Sequence, residues 1–301
     1  MTKTYTQFRI WKMAGLVLVI FLSMVGFKGV AQPLLVENFD YTIGSLLTEN
    51  GWTAHSGEGN ESIDVTNGLI FSGYAGSGIG GAANLDNNGE DVNKTFTEMT
   101  TGTVYAAFVV QTQAANASGY FIHFGQSTIA TTYFTRIYVS ATGDGIGLGL
   151  GNTPPATYSP VTPGIPALVV IKLDIDTKVS SIYVFNSFPA SEPTTPDGTV
   201  TETASFSNVG SIALRQFNAA EKVIVDGIRV ADNWAEAVAP SSGSTPVISA
   251  SPGTLSGFYP ALILHQHSVI LLLHQQLILK YHLTMQVLFK HLSSFHIAME
   301  C

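Results

Sequence analysis

The chain has 301 residues, of which 46% are hydrophobic and 11% are charged, and its formal net charge is −8. Four of its 13 basic residues but none of its 21 acidic ones lie in the first 31 positions, so the remaining chain carries a formal charge of −12. A surface this acidic argues against nucleic acid as a partner. The single cysteine, Cys301, excludes an internal disulfide.

The first segment, residues 1–31, has the three parts of a secretory signal peptide. A basic start ends at Lys12, an apolar run extends from Met13 to Phe27, and three small residues precede Gln32. A membrane anchor is the alternative, but it needs about 20 apolar residues and this run is shorter. We therefore expect removal of this segment and a mature chain that is secreted or held at the bacterial cell surface, without a membrane span.

Short segments rich in β-branched and aromatic residues, bounded by turn residues, follow one another along the next two hundred positions or so. Capped helical stripes are nearly absent, apart from a short turn at Asn233 to Val238. We predict that residues 32–238 form one all-β domain, an antiparallel two-sheet sandwich of jelly-roll type. The predicted strands are Leu34–Phe39, Ile63–Phe71, Val104–Thr112, Tyr120–Phe124, Phe134–Ser140, Ile146–Leu150, Leu168–Ile175, Val179–Phe185, Ser211–Phe217 and Val223–Val230.

The clearest unit is a hairpin between Ala167 and Asn186, whose apolar residues alternate with polar ones in the first strand. Asp174 and Asp176 lie on the polar face of that strand. A paired carboxylate site is one interpretation of them, but acids on the exposed face of a hairpin usually only solvate it. We therefore interpret both as solvating residues.

Six short stretches follow one another in a recognisable order: Glu37–Tyr41, Gly51-Trp52, Val169–Asp174, Ser181–Asn186, Ser191–Pro193 and Val225–Trp234. Together they resemble secreted bacterial domains of the concanavalin-like, laminin-G-like jelly-roll type. Ser187 stands where those domains often have proline after the asparagine. The resemblance implies a concanavalin-like jelly-roll fold and a role in adhesion or carbohydrate recognition.

Residues 239–246 form a linker by composition, because Pro, Ser, Gly and Thr dominate the segment. The following residues, 247–260, resemble the first strand of an immunoglobulin-like repeat that is common in cargo proteins of type IX secretion. We therefore expect that a second, truncated domain begins there.

The composition changes abruptly at Ala261. Residues 261–301 contain no Gly, Pro, Asn, Asp or Arg, and they hold six of the eight histidines. When the third base of each codon is joined to the first two bases of the next, residues 277–291 can read Asp-Phe-Glu-Ile-Ser-Leu-Asn-Asn-Ala-Gly-Ser-Phe-Gln-Thr-Ser. That string resembles the middle of the same immunoglobulin-like repeat. We predict that residues 261–301 are a frame-shifted tail.

Three other interpretations of the tail fit less well. Its histidines lack the spacing of a zinc finger or a His-Glu-x-x-His site, and polar residues interrupt any membrane-spanning stretch. A functional amphipathic helix conflicts with the change in composition. The histidines are His265, His267, His274, His282, His291 and His296.

Candidate catalytic residues are few. Glucanases of this fold carry a Glu-x-Asp-x-x-Glu pattern on one strand, and the nearest fragment here, Glu61 to Asp64, places its acids on opposite faces of a strand. His123 lies among aromatic residues, where a packed side chain is more common than a general base with an oriented partner. We therefore predict a domain without enzymatic activity.

An acidic turn, Asn84–Asp91, offers the oxygen ligands that calcium prefers, although such turns often form without metal. Gly76–Gly81 formally matches Gly-x-Gly-x-x-Gly, but no βαβ unit surrounds it, so we interpret it as a flexible loop and not as a nucleotide site. The candidate calcium ligands are Asp86, Asn88, Glu90 and Asp91.

Three functions stay open at this point. We favour a non-catalytic extracellular module that carries adhesion or carbohydrate recognition for a larger protein. A glycan-active hydrolase with an unfamiliar acid pair would need two carboxylates about 5–9 Å apart in a cleft, whereas a structural spacer needs no site. Exposed Trp or Tyr side chains that line a concave face would favour glycan binding over a spacer, because sugars stack on aromatic rings.

Overall fold

The computed structural model describes residues 32–114 and 117–241, and within these ranges the chain forms fifteen strands. A 3-10 helix covers Leu47–Asn50, and a short helix, α1, covers Trp234–Ala237. The strands are β1 Leu35–Glu37, β2 Thr53–Ser56, β3 Asp64–Asn67, β4 Gly81–Leu85, β5 Asp91–Met99, β6 Thr103–Thr112, β7 Gly119–Gly125, β8 Tyr133–Val139, β9 Gly145–Gly149, β10 Ser159–Pro160, β11 Ala167–Asp174, β12 Val179–Phe185, β13 Gly198–Thr201, β14 Val209–Leu214 and β15 Val223–Ala231.

The strands form two antiparallel sheets. The larger sheet has eight strands, seven of them in the order β13-β12-β11-β6-β15-β4-β3, and β1 pairs with β15 beside β4. The smaller sheet has seven strands in the order β10-β9-β8-β7-β14-β5-β2. The prediction of an all-β, antiparallel two-sheet jelly-roll sandwich is confirmed.

Two strand pairings connect distant parts of the chain. The predicted hairpin is formed by β11 and β12, with Leu168 opposite Phe185, and β11 lies inside the larger sheet between β12 and β6. The first strand pairs with the last, with Leu35 opposite Val230. Both pairings agree with the sequence pattern, because a one-residue change of register would move the apolar side chains to the wrong face.

A continuous apolar core lies between the two sheets. Phe108 of β6 and Phe121 of β7 are fully buried there and meet edge to face, with 6.4 Å between their ring centroids. Burial of each large apolar side chain stabilises the fold by about 1.5–3 kcal/mol. This core therefore supplies much of the stability that a chain without an internal disulfide requires.

A second apolar cluster covers the outer face of the larger sheet. Trp234 of α1 packs on Tyr105, Tyr183 and Phe185, with ring centroids 5.4 to 6.2 Å apart. The hydroxyl of Tyr74, in the loop before β4, lies 2.8 and 3.0 Å from backbone carbonyl oxygens of β15 and β6. The smaller sheet differs, because its outer face carries many polar and aromatic side chains.

Several predicted segments lie outside the described residues: the signal peptide 1–31, the end of the linker, the immunoglobulin-like segment 247–260 and the tail 261–301. The first residues assigned to the linker are described. The N–H of Ser241 donates to the carbonyl of Gly73 at 2.8 Å. Neither helix in the described ranges has the length and apolar character that crossing a membrane requires.

Candidate functional site

Two irregularities in the pairing of β7 with β8 determine which side chains lie on the outer face of the smaller sheet. Thr135 of β8 has a φ of 55°, and the register shifts around it. This bulge puts Tyr133 and Arg136 on one face, with the guanidinium carbon 5.4 Å from the ring centroid, although residues three apart lie on opposite faces of a regular strand. A second shift, early in β7, brings Tyr120 and His123 together in the same way.

Tyr120 lies between two arginines, because β7 runs between β8 and β14. The guanidinium carbon of Arg136 lies 4.8 Å from the Tyr120 ring centroid, and that of Arg215 lies 4.2 Å from it. Arg215, which directly follows β14, also lies 4.7 Å from the ring centroid of Phe217. These cation–π contacts hold both guanidinium groups against aromatic rings.

Tyr120, Arg215 and Phe217 border a pocket of about 310 Å³ at the start of β7. The hydroxyl of Tyr138 donates to the carbonyl of Gly151 at 2.8 Å, and Arg136 donates to the side chain of Asn152, so both residues hold the loop after β9 at the pocket. Phe217 is 39% exposed, whereas Tyr138 is buried. The pocket is lined by Ser118, Gly119, Tyr120, Tyr138, Asn152, Pro154, Arg215 and Phe217.

The loop after β9 reaches this position because Gly149 has no side chain. A Cβ atom on Gly149 would lie 2.4 Å from a ring carbon of Tyr138 and 2.5 Å from the carbonyl oxygen of Thr153. Both distances are shorter than a van der Waals contact allows, so only glycine permits this close approach. The shape of the pocket therefore depends on a glycine in β9.

Two acids lie near Arg215 without lining the pocket. Asp91 Oδ2 lies 3.8 Å from Nε of Arg215, and Oδ1 accepts a hydrogen bond from the N–H of Gln216 at 3.0 Å. Burial raises the pKa of Asp91 to about 6 and that of Glu221 to about 8, against the opposing charge of Arg215. Glu221 is therefore mostly protonated at pH 7, and Asp91 is the ionised partner of Arg215.

His123 is fully buried in this face. Its ring centroid lies 4.4 Å from that of Tyr133 and 5.7 Å from that of Tyr120, and its Nδ1 lies 3.0 Å from the carbonyl oxygen of Phe124. Burial lowers the pKa of His123 to about 3, so the ring is neutral at pH 7. The interpretation of His123 as a packed residue is confirmed.

The four candidate calcium ligands make separate contacts. Asp86 lies 3.7 Å from a lysine nitrogen, and Asn88 pairs through its backbone with the segment after β14. Glu90 accepts hydrogen bonds from the loop before β3, and Asp91 has the contacts given above. Within residues 32–114 and 117–241, no three His, Cys, Asp or Glu side chains form a group that would hold a metal ion. Calcium binding at this turn stays a prediction, which a calcium titration followed by thermal unfolding tests.

The other acids singled out by sequence do not come together. Asp174 and Asp176 accept hydrogen bonds from backbone N–H groups of neighbouring turns, at 2.8 and 3.0 Å. Glu61 and Asp64 each accept a hydrogen bond from a different asparagine side chain. None of the four lines the Arg215 pocket or the pocket between β9 and β13, and the solvating interpretation of the hairpin acids agrees with their contacts.

A second pocket, of about 370 Å³, opens between β9 and β13 at one edge of the sandwich. Its only charged lining residue is Asp197, which accepts a hydrogen bond from the N–H of Val184 at 2.7 Å. No aromatic or cationic side chain lines it. The pocket at Arg215 therefore offers the richer binding chemistry of the two.

The residues that build the Arg215 pocket were not identified from the sequence. The strands that carry Tyr120, Tyr138 and Arg215 were predicted, but none of these residues was singled out as a site residue. One signal is present, since Phe134, Ile137 and Val139 break the period of two and so indicate a bulge. The local sequence does not predict that Phe217 lies beside β7.

No family model and no curated protein matches the chain. Among solved structures, the globular domain of T. cruzi calreticulin is 12% identical, with 69% of this chain and 90% of that chain covered and a TM-score of 0.45. Lectin II from Ulex europaeus is 10% identical, with 66% and 99% covered and a TM-score of 0.39. A sialidase is 11% identical over 69% of this chain and 19% of its own, with a TM-score of 0.42. Similarity at this level says nothing about a ligand.

Proposed function

We propose that this protein is a non-catalytic extracellular module that binds carbohydrate in the pocket bordered by Tyr120, Tyr138 and Phe217. The observation that carries the proposal is the meeting of three aromatic side chains with hydrogen-bonding groups around one pocket. Sugars present apolar C–H faces that pack on aromatic rings, and hydroxyl groups that need donors and acceptors. Asn152 and Arg215 supply the polar groups.

The size and exposure of the pocket support a small saccharide. Its volume of about 310 Å³ lies at the lower end of the range for ligand sites, which suits roughly one or two sugar rings. Phe217 presents the most exposed ring, while Tyr120 and Tyr138 are mostly buried and limit the depth of the pocket.

The distribution of acids supports recognition without hydrolysis. A glycoside hydrolase places two carboxylates on either side of the scissile bond, and the pocket lining contains no Asp or Glu. The signal-like segment 1–31 supports export, and the resemblance of residues 247–260 to an immunoglobulin-like repeat supports a place in a larger secreted protein.

Glycan binding is tested with the full chain on an array of soluble oligosaccharides, followed by calorimetry on the glycans that are retained. We expect Phe217→Ala to weaken binding about 10-fold, or about 1.4 kcal/mol, because the exposed ring is lost. Ile70→Ala is the matched control, because Ile70 is 77% exposed and lies outside the pocket lining. Binding of no glycan would favour the spacer, and release of reducing sugar would favour the hydrolase.

A further inference from the structure

We infer that the saccharide bound in this pocket carries an oxyanion, a carboxylate or a sulfate ester, which the guanidinium of Arg215 binds. The inference rests on the proposed function, because it names the class of glycan that the same pocket takes.

Arg215 stands in the pocket wall with unused hydrogen-bond donors. Its guanidinium donates no hydrogen bond to another described residue, and its ion pair with Asp91, at 3.8 Å, is longer than a hydrogen bond. The side chain is 24% exposed, while its Nη1 is buried without a partner. A guanidinium left without acceptors costs free energy, and its planar fork matches the two oxygens of a carboxylate or sulfate.

The guanidinium of Arg215 is held in place before any ligand arrives. The ring centroids of Tyr120 and Phe217 lie 4.2 and 4.7 Å from its central carbon. A cation fixed between two aromatic rings loses little further freedom on binding, so more of the interaction appears as affinity. The same two rings line the pocket, which places the anion site next to the surface proposed for the sugar ring.

The charges around Arg215 favour an external anion. Burial raises the pKa of Glu221 to about 8, so this acid is mostly neutral at pH 7, and it raises the pKa of Asp91 to about 6. Burial also lowers the pKa of His55 and of His123, so neither ring adds charge at pH 7. Of these four groups, only Asp91 is charged at pH 7, and its ion pair with Arg215 is long, at 3.8 Å.

Arg136 adds a second positive charge on the far side of Tyr120, and its hydrogen-bond partner is the neutral side chain of Asn152. The acid near it, Glu202, already accepts hydrogen bonds from Ser180 and from the N–H of Thr135. Two of the three arginines in residues 32–241 thus contact the same pocket-lining ring, that of Tyr120, in a chain whose formal net charge is negative. Such a local excess attracts an acidic ligand that the rest of the surface repels.

A uronic acid and a sulfated sugar share this chemistry, so the experiment contains both. The full chain is titrated at pH 7 with an oligogalacturonate, with a sulfated galactan oligosaccharide and with a neutral galactan oligosaccharide of the same length. We expect at least one acidic glycan to bind 10-fold or more tightly than the neutral one, with an affinity that falls as salt is added. The glycan that shows this preference identifies the oxyanion.

Variants then assign the preference to Arg215. Arg215→Gln should abolish it, and Arg215→Lys should retain part of it, because lysine keeps the charge but loses the planar fork. Lys178→Gln removes one positive charge outside the pocket lining and should change nothing. If Arg215→Gln fails to fold, a partial loss of the preference in Arg215→Lys assigns it to Arg215, and an unchanged preference in that variant refutes the assignment.

Equal binding of neutral and acidic glycans would refute the acidic ligand, and a preference that survives in Arg215→Gln would refute the assignment to Arg215. Both results leave the proposed function intact. Binding of none of the glycans on the array or in this titration would refute the proposed function itself.

Discussion

Glu37 of β1 and Lys94 of β5 form an ion pair that joins the two sheets. Glu37 is 4% exposed, and it also accepts hydrogen bonds from the hydroxyl of Tyr41, the indole of Trp52 and the N–H of Phe39. The hydrogen bonds from Lys94 to Glu37 and Tyr41 outweigh the effect of burial and raise the pKa of Lys94. The pair therefore fixes the first strand of the domain to the opposite sheet.

We expect Glu37→Gln to destabilise the protein by about 3 kcal/mol, because it leaves a partly buried ammonium without its counter-ion. The measurement is urea unfolding at pH 7. Glu58→Gln, at an exposed position, is the control and should change the free energy of unfolding by less than about 0.5 kcal/mol. A similar small change in both variants would mean that the pair is no stronger than a surface ion pair.

We expect the protein to lose stability as the pH rises from about 4 to 7, and Asp226→Asn to reduce that loss. Asp226 is fully buried, its Oδ1 lacks a partner among the described residues, and burial raises its pKa to about 7. The folded state holds the proton on the Asp226 carboxyl group more tightly than the unfolded state does. This proton therefore stabilises the fold at low pH, and the stabilisation is lost as the pH rises through about 7. Its size is on the order of 3 kcal/mol.

The comparison uses urea unfolding midpoints at pH 5 and pH 8. The pKa values of Asp91 and Glu221 are also raised, so the stability of Asp226→Asn should still fall with pH, but less steeply than that of the unchanged protein. Asp232→Asn, at an exposed position, should follow the unchanged protein. Equal slopes in all three proteins would show that Asp226 does not titrate in this range.

We expect Gly149→Ala to destabilise the fold by about 1–3 kcal/mol, because the added methyl group must displace Tyr138 or the loop after β9. The same change should weaken glycan binding, since that loop borders the pocket. Gly198→Ala in β13 is the control, because the nearest atom to its Cβ would be a side-chain methyl group of Ile182 at 3.3 Å. Thermal unfolding and calorimetry of both variants check the prediction, and equal stability would contradict it.

Deletion of residues 261–301 should leave the melting temperature unchanged or improve solubility, because an exposed apolar segment promotes aggregation. The coding DNA beyond codon 260 provides an independent check, and we expect its shifted frame to continue the immunoglobulin-like repeat. A large fall in melting temperature, or a shifted frame without such a continuation, would mean that the tail is a genuine part of the protein.

Regular strands were predictable and irregular ones were not. The hairpin of β11 and β12 follows from alternation, because Val169, Ile171 and Leu173 of β11 face the core between the sheets. Strand β5 was missed, since Lys94 occupies a position where alternation calls for an apolar residue and only its ion pair with Glu37 explains it. Strand β4 was missed because small residues with weak β-propensity fill most of it.

The candidate site was less predictable than the fold. Arg136 and Tyr120 meet because two bulges change which side chains share a face, and a bulge is hard to place from the local sequence. Arg215 and Phe217 join them through strand order, which depends on long-range pairing. His123 was assigned its correct environment, because one of its aromatic contacts, Tyr120, lies three residues before it in the same strand.

The pairing of Leu35 with Val230 has a mechanical consequence. Because β1 and β15 are antiparallel, tension applied before β1 and after β15 pulls across their hydrogen bonds once the backbone contacts of Ala239 and Ser241 have opened. Such a load breaks the hydrogen bonds between the two strands one after another, whereas a load along the strands would strain all of them at once. Under such a load this pair of strands would separate early and lengthen the chain.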